Sequence, residues 1–91
     1  MSQITVKIPT QLRDTASGNA TVEVAGDTVA QALEALFVVH PALKERISDE
    51  NGVRRFINLY VNGEDVRFLD GVDTATPAGC ELTILPAVAG G

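Results

Sequence analysis

The stretch Arg54-Arg55-Phe56-Ile57-Asn58-Leu59-Tyr60-Val61-Asn62-Gly63 decides the fold. Residues 54–61 are rich in β-branched and aromatic side chains and form the strongest strand pattern in the chain. Asn62-Gly63 then supplies a tight hairpin turn, because both turn positions require positive φ. A short return strand is expected over about Asp65 to Phe68. The two-residue period puts Ile57, Leu59 and Val61 on one face and Phe56, Asn58 and Tyr60 on the other.

On the N-terminal side, Ile4, Val6 and Ile8 alternate with Gln3, Thr5 and Lys7, and Pro9 stops that strand. After the turn-forming run Asp14–Asn19, alternation resumes over Ala20 to Val24, so the two segments read as a hairpin with a long loop. A helix begins at Thr28, whose spacing to Gln31 is that of a capping box. Val29, Ala32, Leu33, Leu36 and Phe37 make its apolar stripe, and Pro41 sets its end near Val39. Leu43 to Ile47 adds a short turn. On the C-terminal side, Leu69 to Gly79 reads as loop or a single helical turn. Cys80 to Leu85 is the last alternating strand, with Leu82 and Ile84 inward and Leu85 outward, and Pro86 ends it. One main helix is thus available to pack across one face of a mixed sheet, an α+β arrangement in two layers.

The composition fits one domain. The chain has 91 residues, 45% hydrophobic and 21% charged, enough for a single compact core and little more. Twelve acidic residues against seven basic ones give a net charge of −5, which disfavours nucleic acid and anionic membranes and favours a basic surface on a partner protein. No apolar run is long enough for a signal peptide or membrane span, so a cytoplasmic protein is expected. A single cysteine cannot form an internal disulfide, and no Cys/His spacing offers a metal site. Phosphate-binding loops of the Gly-Lys-Ser/Thr and Gly-x-Gly-x-x-Gly kinds are absent. Cys80 and His40 have no visible tie to one another, so Cys80 reads as an ordinary thiol and His40 as a helix-end residue. No intrinsic catalytic group is expected.

The remaining feature is the ending Ala87-Val88-Ala89-Gly90-Gly91. It is apolar, uncharged and without bulky side chains, and it follows a core strand directly behind Pro86. The division expected is a domain over 1–86 and a flexible tail over 87–91. Extended, such a tail reaches about 17 Å. Two terminal residues lacking Cβ make a thread narrow enough to enter another protein's active site, presenting the α-carboxylate of Gly91.

The order of elements, with Arg55–Asn62, Glu64–Phe68 and Thr83–Gly91, resembles the ubiquitin-like sulfur carriers of the ThiS and MoaD families, in the CysO-type form associated with cysteine biosynthesis. The resemblance implies a β-grasp fold, with a sheet of four to five strands whose first and last strands pair in parallel. It implies a carrier rather than an enzyme: an adenylating enzyme resembling ubiquitin-activating enzymes uses ATP to activate Gly91, and a sulfur donor converts it to a thiocarboxylate. Ala87, Val88, Ala89 and Gly90 would thread into the partner's active site. The implied acceptor is a PLP-dependent, CysM-like cysteine synthase, with a metallopeptidase releasing the product; no cofactor is bound by the chain itself. Delivery to molybdopterin or thiazole synthesis stays open, as does conjugation to lysines as a protein modifier. With the β-grasp strand order, Phe56, Tyr60 and Leu85 are expected to form an exposed docking patch at the root of the tail, with Arg54, Arg55 and Arg67 as its rim.

Overall fold

The computed structural model describes residues 3–50 and 52–86. Among them, strand β1 (Gln3–Lys7) pairs antiparallel with β2 (Thr21–Ala25), setting Ile4 opposite Val24 and Val6 opposite Val22. Helix α1 (Val29–Val39) follows, then a short helix α2 (Ala42–Ile47). The small strands β3 (Ser48–Asp49) and β4 (Gly52–Val53) pair only with each other. Strand β5 (Ile57–Val61), β6 (Glu64–Asp65) and β7 (Glu81–Pro86) complete the main sheet, whose order is β2-β1-β7-β5-β6. β1 and β7 lie parallel at the centre, with Val6 beside Leu82. This is the β-grasp arrangement, in which the two ends of the chain share the middle of the sheet.

The core is built from the inward half of each alternation. Ile4, Val6, Leu82 and Ile84 are fully buried, as are Val29, Ala32 and Leu36 from the helix. Burying such side chains contributes about 1.5–3 kcal/mol each, which is what holds a sheet this small against one helix. The start of α1 is fixed by its caps: Thr28 Oγ1 accepts from the Gln31 backbone N–H at 3.3 Å, and Gln31 Oε1 accepts from the Asp27 N–H at 2.9 Å. The same end is tied to the long loop before β7. Thr74 C=O accepts from the Val29 N–H, and the buried Thr76 hydroxyl donates to the Gly26 carbonyl at 2.7 Å. The Asn62-Gly63 turn has φ of 49° and 87°, as its sequence requires.

Four local readings need correction. The β1–β2 connection is not only turn chemistry: Thr10–Ala16 forms a 3₁₀ helix that buries Leu12 and Ala16 in the core. The strand expected from Arg54 starts at Ile57, because the Arg54 carbonyl accepts from the Ile57 N–H in a local turn. The return strand stops at Asp65, whose side chain accepts from the Arg67 N–H and caps a 3₁₀ turn over Val66–Phe68. The segment Leu43 to Ile47, expected as a turn, is the body of α2 and buries Leu43 and Ile47.

Candidate functional site: the outer sheet face and the strand leading to the terminus

β7 brings the chain through the centre of the sheet to Pro86, the last described residue. Residues Ala87, Val88, Ala89, Gly90 and Gly91, on which the expected tail and reactive carboxylate rest, lie outside the described residues. What the structure does define is the surface around their root. Ile57 sits opposite Pro86, Asn58 opposite Leu85, and Tyr60 opposite Thr83. On the face turned away from α1, Leu85 therefore lies diagonally to Tyr60, a spacing that large side chains span, whereas Phe56 sits in the turn before β5, outside the strand alternation. Phe56 is 48% exposed and Leu85 45%, whereas Tyr60 is half-buried. Burial alternates along β5, with Ile57, Leu59 and Val61 inside, so the parity that puts Tyr60 and Leu85 on the outer face is that of the sequence.

Polar side chains frame this face. Tyr60 is opposite Asp65 on its other side. Asp65 accepts from Arg67, Oδ2 at 2.8 Å from the guanidinium, and a second Arg67 hydrogen bond reaches Asn58 Oδ1 at 2.6 Å. The Arg67 hydrogen bonds hold the Asp65 carboxyl below the usual carboxylate range, and Asp65 in turn raises the guanidinium further above its ordinary value. At the far end Lys7 and Glu81 pair at 3.4 Å, both half-exposed. Arg54 shares with Phe56, Leu12 and Pro86 a cleft of about 460 Å³ beside the exit of β7. Arg54, Arg55 and Arg67 all line a second opening, with the inward-facing Ile57 and Leu59, so the three do not form one ring around the patch.

Two groups considered for chemistry take structural positions. Cys80 is buried, and desolvation pushes its thiol above the ordinary value. A protonated thiol inside the core is a poor nucleophile. His40 caps α1, its N–H donating to the Leu36 carbonyl at 2.8 Å. Among the described residues no group of His, Cys, Asp and Glu could hold a metal ion, and no helix is long and apolar enough to cross a membrane. Pattern reading missed the strongly exposed Phe68, because the segment was expected to be a strand and its face was not assigned. The Asp65-x-Arg67 spacing, an Asp capping a turn two residues on, was the available signal.

Comparison with known proteins decides the family. The ThiS family model matches residues 6–91, through the terminal glycines. The chain belongs to the ThiS family. The sulfur carrier protein CysO of Mycobacterium tuberculosis is 44% identical over 91 residues, covering 97% of this chain and 98% of that protein. The CysO of an Amycolatopsis orientalis BexX/CysO complex superposes with a TM-score of 0.90 at 46% identity, over 97% of this chain and 99% of that one. Small archaeal modifier protein 1 of Haloferax volcanii is 43% identical over 72 residues, 77% of this chain and 78% of that protein. This ThiS-family chain therefore shares its β-grasp fold with both carriers and modifiers.

Proposed function

We propose that this ThiS-family protein is a sulfur carrier that receives sulfur at Gly91 and delivers it for cysteine biosynthesis. The observation that carries this reading is the 44% identity to a CysO sulfur carrier over nearly the full length of both chains. The protein is a carrier and not an enzyme, a substrate passed between partners.

The chemistry follows from what a carboxylate lacks. Its leaving group would be oxide, so it cannot donate an acyl group unaided. In the activating enzyme, a Gly91 carboxylate oxygen attacks the α-phosphorus of ATP and pyrophosphate leaves, giving an acyl adenylate. A sulfur donor then attacks the carbonyl carbon and expels AMP, leaving a thiocarboxylate after release from the donor. Thioacids are ionised at neutral pH, so the product is a sulfur nucleophile held on a protein handle. Glycine at 90 and 91 lets bare main chain enter a narrow channel, where a Cβ would crowd the walls. In a PLP-dependent synthase of the CysM kind, the sulfur adds to an aminoacrylate, and a metallopeptidase frees the cysteine from the carrier. The protein's own contribution is a tethered nucleophile with high effective concentration. ATP belongs to the activating partner, and the cytoplasm supplies it.

The outer face of β5 and β7, with Tyr60 and Leu85, together with the exposed Phe56 in the turn before β5, is the surface we assign to docking of these partners. The Amycolatopsis CysO was crystallised in complex with BexX, which supports a life spent bound to other proteins. A second reading, conjugation of Gly91 to lysines, draws on the 43% identity to an archaeal modifier. The delivery step separates them. Thiocarboxylated protein made with isotopic sulfur is incubated with a PLP-dependent cysteine synthase and its amino-acid substrate. Labelled cysteine, after peptidase treatment, is the expected product. Label retained on the carrier, or higher-mass lysine conjugates in its place, overturns the cysteine assignment.

A further inference from the structure

A cleft of about 460 Å³ opens on the inward side of β5, apart from the outer face assigned to docking. Val53, Ile57, Leu59, Val66 and Val72 make it apolar. Its charged side chains among the described residues are Arg54, Arg55 and Arg67, the last paired with Asp65. Three of the chain's seven basic residues thus gather at one opening of a molecule whose net charge is −5. A local field of opposite sign to the whole is what selects an anionic partner at one place and repels it elsewhere.

The backbone beside the cleft has the matching property. β6 pairs only with Tyr60 and Val61, so among the described residues Ile57, Asn58 and Leu59 have no strand on the side away from β7. An extended segment can lie along such an edge and send alternate side chains into a pocket. The short segment after β6 adds apolar surface next to it, with Phe68 87% exposed and Leu69 and Val72 also in solvent. The arginines differ in availability. Arg67 is committed to Asp65 and Asn58. Arg54 uses its Nε on the Glu45 carbonyl at 2.9 Å, leaving both terminal nitrogens outside that bond, and Arg55 is exposed.

We infer that this cleft binds an extended acidic segment of a partner protein, with aliphatic side chains seated against Ile57, Leu59 and Val72 and carboxylates meeting Arg54 and Arg55. It stands independently of the sulfur-carrier reading, because it needs neither Gly91 nor the outer sheet face. Such a second contact would let one partner hold the body of the protein while another acts at its terminus.

The test is a titration of the ¹⁵N-labelled full chain with a capped octapeptide alternating Glu or Asp with Ile or Leu. Saturable shifts are expected at residues 53–59 and 66–72, with the amides of Thr83 and Leu85 unmoved. Added salt weakens the binding, because these charges are exposed. Arg55→Glu weakens it about two- to fivefold, the range of an exposed ion pair, and Val72→Glu weakens it further while leaving the spectrum of the free protein dispersed. Absence of saturation at ~1 mM peptide overturns the assignment. So do shifts centred on Leu85 or Val38, or equal binding of a peptide with Lys in place of its acids. Concentration-dependent shifts of residues 53–59 without peptide would give the cleft to a second copy of the chain instead.

Discussion

At Gly26 the chain has no room for a methyl group: a Cβ built there would stand 2.6 Å from the Ala32 backbone nitrogen, and helix backbone cannot step aside. Gly26→Ala is expected to destabilise the fold by about 1–3 kcal/mol through overpacking, read as a lower midpoint in thermal unfolding. An unchanged midpoint would mean the entry to α1 is looser than its caps indicate. Cys80 makes a second prediction of the same scale. Its burial and raised thiol pKa keep it protonated, so the folded protein reacts with a thiol reagent far more slowly than the denatured chain. Cys80→Ala should still accept sulfur, since nothing in the proposed chemistry passes through that thiol. Asp65 gives a third, with a definite sign. Its carboxyl titrates below the ordinary value because Arg67 hydrogen bonds favour the charged form. The contribution of this pair is therefore present above the unfolded pKa and lost as pH falls through the lower folded one. Carbon-detected titration of Asp65 in wild type should give a lower pKa than in Arg67→Ala, where it returns toward the ordinary range.

At the scale of elements, the outer face of β5 and β7 is tested by Leu85→Glu. Leu85 is exposed and makes no part of the buried core, so thermal unfolding should hold nearly unchanged. Binding to the activating enzyme should fall about tenfold or more, since a carboxylate buried unpaired at an interface costs more than about 1.4 kcal/mol. Full binding by Leu85→Glu would remove the patch from the docking assignment. Elements set by local chemistry were legible from sequence: the Thr28 cap, the stripe from Val29 to Phe37, the Asn62-Gly63 turn and the parity of β5 and β7 all stand as the patterns imply. What pattern reading missed depends on tertiary contact or on short side chain-to-backbone bonds. Leu12 and Ala16 lie in the connection between β1 and β2, where no alternation marks them, and their burial comes from tertiary packing that includes the neighbouring helix α2. Asp65 ends its strand by capping a turn, which an alternation count cannot register. Arg54, Arg55 and Arg67 line one opening with the inward-facing Ile57 and Leu59 instead of ringing the outer face, and Arg54 and Arg55 precede β5, where strand parity does not apply.

At the scale of the whole molecule, the proposed function makes the protein a folded handle for one main-chain end. β7, the strand that precedes it in sequence, is held between β1 and β5 in the sheet. On that proposal the reactive group is the Gly91 carboxylate, so removing Gly91 should leave unfolding unaltered while abolishing sulfur acceptance. The most direct test is the intact mass of the wild-type chain after incubation with its activating enzyme, ATP and a sulfur donor, followed by fragmentation from the C-terminus. A gain equal to the replacement of one oxygen by one sulfur, confined to the fragment ending at Gly91, is the predicted result. A mass that does not change under conditions that thiocarboxylate a known CysO, or a gain that maps to Cys80, would contradict it.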